Sequence, residues 1–283
     1  MNHTLPMVMR NAAGQPWSAE GRSRFALTEA PKGVVIFIHG FRGNALDTWI
    51  DFPQRLPREQ KASGYDLLFY GYDTREAATI SAVAFRNFLT AVAEKPAAQV
   101  VNSSLPKGLT PRATKFKYQH IVIAAHSLGA VVSRLALLQC VNTKRVPLEW
   151  LSRVRLALFA PAHSGALAAN IASLLLFGLP AGKVLGAVAS RIYRSIYDLT
   201  PASLTLTSLE RDTQKRLEVP GAAAVSRCHR AWVAHGSKDW VVIINQFLED
   251  YQIRRMSGAT HLTVCKPTDE HLEPLQFLLE VMP

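Results

Sequence analysis

Cysteine is scarce in this sequence: three in 283 residues, at positions 140, 228 and 265, an odd number without framework spacing. That excludes a disulfide scaffold and points to a reducing compartment. Zinc-ligand spacings are missing, as are the aromatic patterns of RNA-binding sheets and any long basic run. Nucleic acid is therefore not an expected partner, although the formal charge is +11. Acids are few, 21 Asp and Glu against 32 Lys and Arg, so the surface favours anionic partners such as membrane headgroups. The stretch MNHTLPMVMRNAAGQ has no basic start followed by an apolar core. The expectation is a cytoplasmic protein whose charge admits peripheral contact with an anionic membrane. No repeat, low-complexity tract or Ser/Gly linker divides the chain, and 48% hydrophobic residues are ample for a large core. Residues 1–283 read as one α/β domain carrying insertions.

What is present is organised around Gln119 to Leu138. Ile121 to Ala125 is an unbroken apolar run, the pattern of a parallel strand covered on both faces. From Leu128 the apolar positions 128, 131, 135 and 138 recur at helical steps, with Arg134 and Gln139 off that stripe. Between strand and helix stands Ala125-His126-Ser127-Leu128-Gly129, so Ser127 occupies a sharp strand-to-helix turn, a nucleophile elbow. Such a turn lifts the hydroxyl above the strand end and aims the Leu128 N–H at an oxyanion formed there.

Other segments repeat the strand-then-loop pattern. Gly33 to Ile38 is a fully apolar strand running into His39-Gly40-Phe41-Arg42-Gly43, preceded by a short strand candidate around Arg24 to Leu27. Leu46 to Leu56 predicts a short helix, Asp66 to Tyr72 a strand and Thr74 to Glu94 an amphipathic helix. Lys95 to Tyr118, with three prolines, reads as a solvated surface excursion whose Lys107, Arg112, Lys115 and Lys117 could meet an anionic surface. Val154 to Ala160 and Arg230 to His235 are further strands, and Tyr251 to Met256 is the last, before a closing helix over Glu270 to Val281.

Three loops at strand ends carry the remaining polar chemistry. Ser164, after Val154 to Ala160, rivals Ser127, but its glycine follows directly and no compact strand-turn-helix surrounds it. His163 beside it has no defined role. Asp239 lies in Gly236-Ser237-Lys238-Asp239, just past a strand; Asp212 and Asp250 are alternatives in polar runs, and Asp239 could equally cap a helix starting near Val242. His261 lies in the loop after the last strand, whereas its competitor His271 begins the closing helix. A base that must reach over the elbow from the strand ends favours His261.

The phrases HGFRGNALDTW, AHSLGAVV and HLTVCKP, with Ser127, Asp239 and His261 in that chain order, resemble the α/β-hydrolases from about Gly33 to the end. They are most similar to the lipase-like group that includes the serine-active-site-containing proteins of phospholipid metabolism. Ala125 replaces the first glycine of the G-x-S-x-G pattern, a departure shared by some lipases. The resemblance implies a mostly parallel sheet with helices on both faces. It implies a Ser127–His261–Asp239 triad with an oxyanion hole from the Phe41 and Leu128 amides, and no metal or cofactor.

The same resemblance gives a role to Ser164 to Gly182, 19 residues without a charge. Its length would span a membrane, but Asn170, Gly178, Pro180 and Gly182 interrupt it. A helical hairpin, Leu167 to Phe177 and Val184 to Tyr197, fits better, and in these hydrolases a cap or lid is inserted here, at about 164–200. The expected activity is hydrolysis of carboxylic esters with apolar acyl chains, of lipase, phospholipase or esterase type. An acyltransferase or thioesterase would use the same triad, and a non-catalytic interaction module would have lost one of its members.

Overall fold

The computed structural model describes residues 7–10, 13, 15, 23–105, 110–143, 149–166, 194–219 and 223–283. Among the described residues eight strands form one sheet: β1 (Met7–Val8), β2 (Arg24–Ala26), β3 (Gly33–Ile38), β4 (Tyr65–Tyr70), β5 (His120–His126), β6 (Val154–Phe159), β7 (Ala231–Gly236) and β8 (Arg254–Met256). Their spatial order is β1-β2-β4-β3-β5-β6-β7-β8. β1 and β2 run antiparallel at one edge, and β4 through β8 are parallel. All six residues of β3 and of β4 are buried, which is why β3, and β4 apart from Asp66, read as apolar runs without alternation.

Neighbouring residues on a strand face opposite sides, and Phe69 and Tyr70 show which helices cover each. Phe69 stacks on its register partner Phe37 at 4.7 Å, and Phe37 packs on Trp49 and on Phe52 of α1 (Phe52–Arg55). Phe159 joins that side, meeting Phe277 of the closing helix α7 (Glu273–Val281) at 5.1 Å. Tyr70 points the other way, onto Phe85 and Phe88 of α2 (Ala78–Glu94). α2 packs on α3 (Leu128–Thr143), which also meets α5 (Leu204–Leu217) and α6 (Ala223–His229). A short helix α4 (Arg194–Asp198) precedes α5. Asp198 supplies a carboxylate oxygen to the Ala78 amide that opens α2, at 2.7 Å.

Several expected boundaries move for identifiable reasons. The helix expected from Leu46 shrinks to Phe52–Arg55 and a 3₁₀ turn over Leu56–Arg58, because Ile50 has φ +41° and Pro53 fits only a first helical turn. The last strand begins at Arg254, not Tyr251, since pairing with β7 starts at Ala234 opposite Arg254. The excursion before β5 is not wholly solvated: Ala97, Val100 and Val101 are buried. Arg112 turns inward, binding both oxygens of the buried Asp66 at 2.8 Å, so it does not serve an anionic surface.

Arg134, off the apolar stripe of α3, is nevertheless fully buried. Its guanidinium pairs with Asp250, donates to the His229 carbonyl at 2.8 Å and lies 4.2 Å over the Phe247 ring. The greater part of the expected hairpin, residues 167–193, lies outside the described residues. No helix among the described residues is long and apolar enough to cross a membrane.

Candidate active site

The parallel strands bring four loops to one edge of the sheet, because every parallel strand ends on the same side. β5 ends at His126, and Ser127 follows with φ +52°, the left-handed region that a non-glycine residue occupies only under local constraint. Its backbone is pinned: the Ser127 amide donates to the Phe159 carbonyl at 3.0 Å, and its carbonyl accepts from Ala130 at 3.1 Å. The turn closes this tightly because two positions lack a side chain. A Cβ on Gly129 would stand 2.5 Å from the Ile38 and His39 carbonyl oxygens, and one on Gly40 would meet His126 Nδ1 at 2.8 Å and Ser127 Cβ at 2.9 Å.

Ser127 Oγ lies 3.0 Å from His261 Nε2, and His261 Nδ1 lies 3.0 Å from Asp239 Oδ2. Three residues from three strand-end loops thus stand in one hydrogen-bonded series, with Ser127 and His261 buried and the Asp239 side chain enclosed. The other Asp239 oxygen accepts the Val241 amide at 2.9 Å and the Val242 amide at 3.5 Å. No helix begins at Val242, so the capping expected of Asp239 is of a turn. Burial works against ionisation of this carboxylate, but His235 and His261 beside it and the Val241 amide outweigh that and hold it below the usual range. His235 Nδ1 itself is 3.9 Å from Oδ2.

The rival residues stand elsewhere. Asp250 is consumed by Arg134, and Asp212 pairs with Arg211 on the surface. His271 sits in a turn ahead of α7, where its amide and carbonyl bond Thr268. His163 is buried against Phe247 with Nε2 3.3 Å from the Asn245 carbonyl. Leu128 opens α3, so its amide is one of the first-turn donors a helix cannot satisfy itself. Among the described residues no cluster of His, Cys, Asp or Glu could hold a metal ion.

One contributor had no signal in the sequence. His126 Nε2 donates to the His261 carbonyl at 2.9 Å, so the residue before the elbow serine anchors the loop that carries the histidine. Burial first, then the nearby His261, pushes its pKa down to about 3, so it stays neutral.

No family model matches the sequence, and no curated protein matches it. Among solved structures, the mature Bacillus licheniformis lipase BlEst2 superposes with a TM-score of 0.54 at 13% identity, over 89% of this chain and 95% of that one. The fold is the α/β-hydrolase fold. Two further α/β-hydrolase structures are similar at lower scores. Est1E from Butyrivibrio proteoclasticus has a TM-score of 0.49 at 15% identity over 99% of this chain and 98% of its own. A hydrolase from lagoon sediment of Mar Chica, Morocco, has 0.45 at 14% over 92% and 93%. In α/β-hydrolase terms the elbow, the loop after β7 and the loop after β8 meet at the carboxyl edge of the sheet, where that fold opens its sites.

Proposed function

We propose that the protein is a serine carboxylic-ester hydrolase of lipase or esterase type, working through an acyl-enzyme. The observation that carries this is the unbroken series from Ser127 Oγ through His261 to Asp239, with 3.0 Å at each step. His261 Nε2 takes the Ser127 proton as the oxygen attacks the ester carbonyl. Asp239 keeps the Nδ1–H tautomer in place and steadies the imidazolium. The Leu128 and Phe41 amides receive the oxyanion, a donor in such a position contributing about 3 kcal/mol. The same histidine returns the proton to the leaving oxygen, and water, activated in turn by His261, releases the acid.

The likeness in fold to the lipase BlEst2 and the charge-free stretch over 164–182 support substrates with apolar acyl chains. The excess of basic residues supports peripheral contact with anionic lipid, and the few scattered cysteines a cytoplasmic setting. A series of p-nitrophenyl esters from acetate to palmitate tests the reading. Turnover should rise with chain length, vanish in His261→Ala and persist in His271→Ala. Activity surviving His261→Ala would refute the assignment of the base.

A further inference from the structure

His235 is the penultimate residue of β7, four positions before Asp239. Its side chain is wholly enclosed, and among the described residues neither ring nitrogen has a hydrogen-bond partner. Burying an imidazole without partners is costly, so what the ring faces matters. Nδ1 lies 3.9 Å from Oδ2 of Asp239, the same oxygen that meets His261 Nδ1 at 3.0 Å. The longer of these separations exceeds a hydrogen bond. It is an electrostatic contact between two groups shut off from water, and contacts of this kind in a resting site shorten as the reacting complex assembles.

The backbone around Asp239 is held independently of this ring. The Asp239 amide donates to the Gly236 carbonyl at 3.1 Å and the Lys238 amide to the Ala259 carbonyl at 2.9 Å. A Cβ on Gly236 would stand 2.3 Å from the Ala259 oxygen, so the loop that carries His261 lies directly against the end of β7. Farther along, the Ile243 amide donates to the Gly165 carbonyl at 2.9 Å, and His163 Nε2 stands 3.3 Å from the Asn245 carbonyl. With the backbone fixed at both ends, the freedom left to Asp239 is rotation of its carboxylate. Oδ1 is steadied by the Val241 amide, whereas Oδ2 faces two imidazoles. His261 gains and returns a proton in each turnover, so its hold on Oδ2 varies through the cycle. A second N–H on the same oxygen keeps the carboxylate in place throughout.

We propose that His235 is a positioning residue for the triad acid, its Nδ1–H turned to Asp239 Oδ2 so that this oxygen stays on the His261 ring. The inference rests on the hydrolase reading above and deepens it. His235 acts through Asp239 alone, and no bond to it forms or breaks. Asparagine can stand in for it, because its side-chain amide offers an N–H donor close to where Nδ1 stands. Leucine fills the space and donates nothing.

Hydrolysis of p-nitrophenyl butyrate, in the steady state and in single turnover, tests this in His235→Leu, His235→Asn, Asp239→Asn and the double variant His235→Leu with Asp239→Asn. In His235→Leu kcat should fall about tenfold at unchanged KM, and in His235→Asn it should stay within about twofold of the wild type. On the Asp239→Asn background His235→Leu should cost nothing further, because the carboxylate through which it acts is gone. Wild-type kcat in His235→Leu, a loss in His235→Asn as large as in His235→Leu, or the same factor lost in both backgrounds overturns the positioning role and leaves the hydrolase reading intact. Histidine nitrogen NMR of the wild type gives a readout that stands even if a variant fails to fold. A proton on Nδ1 of His235 is expected, and Nδ1 without a proton overturns the role. Failure of the wild type to turn over any ester, p-nitrophenyl butyrate included, overturns the hydrolase reading and the positioning role with it.

Discussion

His261 Nδ1 stands 3.0 Å from Oδ2 of Asp239, while Oδ1 of the same carboxylate accepts the Val241 amide at 2.9 Å. The two oxygens do different work: one orients the ring, the other fixes the carboxylate in its loop.

Asp239→Asn separates these tasks. With its oxygen kept for the Val241 N–H, the amide presents its NH2 to His261, a donor where an acceptor stood, and so favours the wrong tautomer. We expect kcat on p-nitrophenyl butyrate to fall about 10⁴-fold with little loss of stability. An unchanged rate would mean that another acid serves the histidine.

Part of this was legible in the sequence, and the reason is burial. β3 matches its expected bounds of Gly33 to Ile38 because a strand covered on both faces carries apolar residues without alternation. Ser127 and Asp239 follow the largely buried strands β5 and β7, His261 follows the short edge strand β8, and a parallel sheet gathers strand ends at one edge. Arg134 was not legible. α3 is packed by α2, α5 and α6 as well as by the sheet, so its polar residue is enclosed instead of facing water. Its partner Asp250 lies 116 residues away, which no local pattern reveals. The bond from His126 to the His261 carbonyl is hidden for the same reason.

The Arg134–Asp250 pair gives a stability prediction. Arg134→Met should cost about 3–5 kcal/mol in urea unfolding, because it strands a buried carboxylate. Arg134→Met with Asp250→Leu should cost much less, since no charge is then left unpaired. Equal losses in the single and double variants would show that packing, not charge, dominates there.

Acid should unfold the protein through its buried histidines. Burial, then the nearby Arg134, lowers His229 to about 3, against about 6.5 in an unfolded chain. Between those values the unfolded chain binds more protons. Stability is therefore complete above pH 6.5 and declines as pH falls toward 3, by at most about 1.4 kcal/mol per pH unit for this residue. His229→Leu should flatten the decline in unfolding free energy measured between pH 7 and 4.5. Parallel curves for variant and wild type would exclude His229 as a source.

The central claim is that Ser127 is the nucleophile, and covalent labelling by a fluorophosphonate probe, mapped by mass spectrometry, tests it most directly. The wild type should carry one probe on the peptide containing Ser127. Ser127→Ala should carry none, keep its circular dichroism spectrum and lose about 10⁶ in kcat. Equal labelling of the variant, with the adduct at Ser164 or any other serine, would contradict the account.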